Sequence, residues 1–177
     1  MKQESSGLVR NSSVISVPSV VNDFEVQPAE SPQQLAAIRE LFLEYANSLG
    51  FSLCFQSFDQ ELAGLPGDYA PPQGRLLLAS SAESPAACVA LHPLSPEVCE
   101  MKRLYVRPQF RGKGLGKFLA ARIIAEARAI GYKQLRLDTV EPRMREAVAM
   151  YRRLGFREIE PYRANPIEGA LYMELPL

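Results

Sequence analysis

From Leu115 to Ile130 the apolar residues Leu115, Phe118, Leu119, Ile123, Ala127 and Ile130 recur on one side, with Lys117, Arg122 and Glu126 opposite. That spacing predicts an amphipathic helix, and Gly131 stands where such a helix takes its left-handed terminating residue. A second helical pattern runs through Leu35, Ile38, Leu41, Phe42 and Tyr45. It opens on Ser31 as N-cap, Pro32 at N1 and Gln34 at N3, and ends near Gly50 after about four turns. Between the two, FSLCFQSFDQELAGLPGDYAPP is aromatic-rich and irregular, with a short helix predicted from Asp59 to Leu65. Strand patterns occupy FEVQPA from Phe24, Gly74 to Ala79, Ala87 to Leu91 and Val98 to Val106, the middle two joined by SSAESPA. After Gly131, Leu135, Leu137 and Thr139 alternate as a further strand. A last helix from Arg143 to Leu154 closes at Gly155, with Phe156 expected to fold back on Tyr151. Strands near Phe156 to Ile159 and Ala170 to Leu175 complete the chain.

The order β-α-α-β-β-β-α-β-α-β-β predicts one mixed α/β domain over residues 23–177. At 177 residues and 47% hydrophobic content the chain supports one sizeable core. Residues 1–22 carry Ser and Pro inside their apolar stretch and Glu4 where a signal peptide keeps basic charge, so they read as a disordered tail. Twenty Lys and Arg balance twenty Asp and Glu, so no global field recruits nucleic acid or an anionic membrane. The three cysteines, Cys54, Cys88 and Cys99, form no CxxC pair, and the one histidine, His92, reads as a strand-end residue. No metal site is suggested, and a reducing cytoplasm fits best.

Candidate chemistry concentrates in RGKGLG, Arg111 to Gly116, where three glycines and two bases precede the strongest helix. A helix N-terminus presents unpaired amides and partial positive charge, and glycines let an anion approach them. A Walker loop needs GxxxxGK[ST], but Phe118 follows Lys117 here. Dinucleotide binding needs GxGxxG, but Gly112, Gly114 and Gly116 are evenly spaced. Spacing alone leaves an anion seat and a simple strand-to-helix turn both open.

Arg111-Gly112-Lys113-Gly114-Leu115-Gly116 resembles the Q/R-x-x-G-x-G/A signature of the GNAT superfamily of N-acetyltransferases. Leu104-Tyr105-Val106-Arg107-Pro108 resembles that family's L-x-V-x-P strand end. Ala147 to Phe156 resembles its A-x-x-x-Y-x-x-x-G-F helix and turn. The resemblance implies the GNAT fold around a splayed mixed sheet, acetyl-CoA as acetyl donor, and a homodimer. It assigns Arg111, Gly112, Lys113, Gly114, Leu115, Gly116 and Lys117 to the pyrophosphate, and the backbone of Leu104, Tyr105 and Val106 to the pantetheine arm. It also assigns Tyr151 as general acid for the leaving thiolate. In one departure, Met144 stands seven residues before Tyr151, where the family often has asparagine; Arg143 or Arg145 is the nearest substitute.

Glu100, eleven residues before Arg111, occupies a register where family members carry a catalytic base. An ion pair with Lys102 is the competing role. Tyr45, Phe51, Phe55, Gln56, Phe58 and Tyr69 are candidates for an acceptor pocket, with ordinary core packing as the alternative for each. The segment from Tyr162 to Ala170 is the candidate for its other wall. The resulting expectation is transfer of an acetyl group from acetyl-CoA to a primary amine of a small molecule, by direct attack in a ternary complex. The alternatives are a non-catalytic acyl-CoA-binding domain, or an enzyme acting on a protein lysine or N-terminus.

Overall fold

The computed structural model describes residues 19–21, 23–53, 57–82 and 84–177. Its strands are β1 (Ser19–Val21), β2 (Phe24–Pro28), β3 (Arg75–Ser81), β4 (Ser84–Pro93), β5 (Val98–Val106), β6 (Gln134–Val140), β7 (Arg157–Ile159) and β8 (Ala170–Pro176). The helices are α1 (Pro32–Leu49), α2 (Phe58–Gly64), α3 (Leu115–Ile130) and α4 (Arg145–Arg153). They follow the order expected from the sequence, with one addition at the N-terminus. Ser19–Val21 pairs antiparallel with Phe24–Val26; residues 1–18 and 22 of the expected tail lie outside the described residues.

One sheet holds all eight strands in the order β1-β2-β3-β4-β5-β6-β8-β7. It is antiparallel except at β5–β6. Alternation along the central strands builds two cores. Leu77, Ala79, Val89 and Leu91 point to the face covered by α3 and α4, where Leu119, Ile123, Tyr151 and Phe156 are buried. Leu76, Leu78, Cys88 and Ala90 point to the other face, where α1 and α2 bring Ile38, Leu41, Phe42 and Phe58. α1 starts on a complete capping box. Gln34 N donates to Ser31 Oγ at 3.2 Å, and Ser31 N donates to Gln34 Oε1 at 2.9 Å. Among the described residues no helix is long and apolar enough to cross a membrane.

Candidate active site

β5 and β6 pair in parallel only through Val98–Gln134, Cys99–Leu135 and Glu100–Arg136. Beyond that point β6 keeps β8 alone and β5 keeps β4 alone, so the two strands part. The gap opens into a cleft of about 1330 Å³ between Met101–Val106 and Leu137–Val140. The glycine loop, α4 and the chain after α1 close its other sides.

A bulge in β5 sets the point of departure. Cys88 pairs with Tyr105 but Ala90 pairs with Lys102, so β5 carries one extra residue there. Arg103 absorbs it with a left-handed φ of 57°, a conformation that L side chains seldom adopt. Its side chain is fastened beneath the sheet. Arg103 Nε donates to Glu61 Oε1 at 2.8 Å and Nη2 to Oε2 at 2.5 Å, while the guanidinium stacks on Phe58 at 5.2 Å. Tyr69 Oη donates to the same Glu61 at 2.7 Å. The geometry of the bulge thus depends on a buried ion pair from α2.

The glycine loop enters the cleft at one end. Gly112 and Gly114 have φ of 76° and 77°, and a Cβ at either would meet no atom within 4 Å. Conformation, more than space, calls for glycine there. The first helical bond of α3 runs from Phe118 N to Gly114 O at 3.0 Å, and Gly114 offers no capping side chain. The amides of Leu115, Gly116 and Lys117 therefore stand at the open end of a sixteen-residue helix. Arg111, Lys117, Arg145 and Arg153 line the same region and give a neutral protein a locally cationic cleft. Gly114→Val forces a β-branched residue into left-handed backbone, at a cost of about 1–2 kcal/mol. The expected result is a roughly tenfold rise in KM for a CoA thioester with a smaller change in kcat, read from initial rates.

Tyr151 lines the cleft from α4, its ring 5.7 Å from Phe156. Phe156 N donates to Tyr151 O at 3.1 Å, the fold-back expected from the sequence. Burial raises the Tyr151 phenol above its ordinary pKa, and burial pushes Tyr45, facing the same cleft, up to about 12. Phe51 also lines the cleft, against the guanidinium of Arg143 at 5.7 Å. Phe58 and Tyr69 do not reach it, because they pack around Arg103 and Glu61 in the α1–α2 core. Phe55 and Gln56 lie outside the described residues. The loop residues Arg111, Gly112, Gly114, Leu115, Gly116 and Lys117 and the strand residues Leu104, Tyr105 and Val106 all line the cleft. Lys113 turns to Phe24 and Phe110, 5.9 Å from each ring centroid.

Glu100 is fully buried, and it is not among the residues lining the cleft. Its carboxylate accepts from Tyr162 Oη at 2.5 Å and Arg163 Nη1 at 3.1 Å, with Lys102 Nζ at 3.9 Å. Met144 lines the cleft and accepts from Thr139 Oγ1 at 3.2 Å through its sulfur. Arg143 also lines it and donates to Leu49 O at 2.8 Å. The sequence did not point to Asp138; of the Tyr162–Ala170 segment named as the other wall, Asn165 lines the cleft. Asp138 accepts from Asn165 Nδ2 at 3.0 Å and from Arg163, which ties the β7–β8 loop to the cleft wall. The signal was a lone carboxylate on the alternating strand at Leu135–Thr139, facing away from the apolar positions.

Residues 35–156 match the Acetyltransferase (GNAT) family. An uncharacterized N-acetyltransferase of Schizosaccharomyces pombe is 40% identical over 158 residues, covering 88% of this chain and 96% of that protein. A GNAT family acetyltransferase from Elizabethkingia anophelis with acetyl-CoA bound superposes with a TM-score of 0.61 at 23% identity, over 89% of this chain and 100% of that one. An N-acetyltransferase from Thermoplasma acidophilum in complex with coenzyme A gives a TM-score of 0.67 at 16% identity, over 87% and 99%. The superpositions speak for the fold. The family match across most of the chain and the S. pombe relative show that this protein belongs to the GNAT acetyltransferase family.

Proposed function

We propose that this protein transfers the acetyl group of acetyl-CoA to a primary amine of a small molecule, by direct attack with both substrates bound. The observation that carries the reading is the glycine loop opening into the gap between β5 and β6, with Tyr151 on the wall beside it. Acetyl-CoA fits that site. Helix amides and bases suit its pyrophosphate, and the unpaired edge of Leu104–Val106 suits an extended pantetheine arm read by main-chain groups. The bound ligands of the Elizabethkingia and Thermoplasma proteins support the same donor.

In this reading the free amine attacks the thioester carbonyl carbon. A C–N bond forms, the C–S bond breaks, the amine sheds one proton and the thiolate takes one up. Tyr151 supplies the proton to sulfur, and burial keeps its phenol protonated at working pH. Of the two roles weighed for Glu100, we favour the ion-pair one, with Arg163 as its main partner and Tyr162 as a second. Glu100 then holds the wall-forming loop, and the acceptor's proton leaves to water in the open cleft. Among the described residues, the cysteines Cys88 and Cys99 are buried thiols outside the cleft lining, with pKa values raised by burial, which favours direct attack over an acetyl-cysteine route through either.

The test is thiol release from acetyl-CoA with a panel of amines. Amine-dependent turnover is expected; tight CoA binding with thiol release no faster than hydrolysis would leave a binding domain instead. The pH profile is a second check. An acceptor amine near pKa 10.4 must lose its proton, so kcat/KM should climb with pH. Because the Tyr151 phenol is raised, no fall from its ionisation is expected by pH 10.

A further inference from the structure

Lys102 stands on the β5 wall of the cleft one residue before the bulge and two before the Leu104–Val106 edge. Only 12% of its side chain is exposed. Among the described residues its ion pair is the 3.9 Å approach to Glu100, whose oxygens already accept from Tyr162 and Arg163 at hydrogen-bond distance. An ammonium has three donors, and here they face the cleft with no protein acceptor among the described residues at hydrogen-bond distance. The charges around it are otherwise matched. Arg103 faces Glu61, and Arg163 faces Glu100 and Asp138. Glu61, Glu100 and Asp138, the carboxylates nearest this end of the cleft, thus each already have a closer guanidinium partner. Burial, aided by the Arg103 charge, holds the lysine below its ordinary pKa, as expected of a cation short of anionic contact.

We propose that Lys102 receives the carboxylate of the acceptor, so that the amine acetylated here belongs to an amino acid or a similarly small amine bearing a carboxylate. This rests on the acetyltransferase reading above and names its substrate class. The strand from Lys102 to Leu104–Val106 covers about 7–13 Å at ~3.3 Å per residue, room for a molecule of that size between the anchor and the reacting carbonyl. Acceptors of uniform positive charge, such as polyamines, meet the Lys102 ammonium at the same end.

The experiment pairs amino acids with their amides and measures kcat/KM for wild type, Lys102→Met and Lys102→Gln at one pH. Wild type should favour the acid by ~10-fold or more, carried mainly by KM. Amides have the less basic amine and more free base at a given pH, so the preference runs against intrinsic reactivity. Either variant should bring the acid-to-amide ratio close to one. A wild type that uses amides or polyamines as well as acids overturns the carboxylate proposal alone, and needs no variant to fold. A ratio unchanged in both variants removes Lys102 as the anchor. CoA binding without turnover of any amine overturns this proposal and the acetyltransferase reading together.

Discussion

Tyr151→Phe is expected to lower kcat by ~10²–10⁴, with KM for acetyl-CoA changed no more than about threefold. The substitution keeps the ring that packs 5.7 Å from Phe156 and removes only the hydroxyl. Tyr151 is 7% exposed and its backbone carbonyl accepts from Phe156, so the helix end keeps its geometry in the variant. In the proposed mechanism this removes the proton donor in the cleft wall, and the thiolate of CoA would depart unprotonated. A Tyr151→Phe protein with wild-type kcat reduces Tyr151 to a packing residue.

Glu61→Gln should be the most destabilising single change near the site. Arg103 and Glu61 have side chains 3% and 13% exposed, and Glu61→Gln removes the carboxylate that balances a buried guanidinium. Breaking such a pair costs about 3–5 kcal/mol. For a domain of this size that corresponds to a melting temperature lower by roughly 6–20 °C. A double replacement by leucine should cost less than the single change, because no orphan charge remains. Burial pushes the Glu61 carboxyl up, but hydrogen bonds and charge from Arg103 outweigh it and hold its pKa below the ordinary carboxylate value. The pair's contribution is therefore complete above about pH 4.3 and fades as pH falls through the lowered value. Thermal melts across that range should show this acid-limb loss in wild type and its absence in Glu61→Gln. Because the pair fastens the bulge at Arg103, kcat/KM should fall as well, even where the variant is folded.

The elements with strong local signals were legible in the sequence. α3 begins at Leu115 and ends before Gly131, and the Ser31–Gln34 capping box opens α1. The glycine loop and Tyr151 meet in one cleft, as the motifs implied. What escaped the sequence was non-local. Nothing near Arg103 announces a left-handed residue, and its partner lies 42 positions away in an irregular stretch. Phe58 and Tyr69 resemble pocket aromatics by composition, yet the same ion pair draws them into the core. Glu100 was paired by proximity with Lys102, whereas Arg163 and Tyr162 reach it from 63 and 62 residues on. β1 has three residues and no alternation long enough to register as a strand.

The most direct test of the central claim is a count of products in one reaction. Free thiol released from acetyl-CoA and N-acetylated acceptor are quantified by mass spectrometry against time, with and without an amino acid. The account predicts equal amounts of both, formed only when the amine is present and reduced together in Tyr151→Phe. Thiol release that ignores the amine, or that yields no acetylated product, would contradict it.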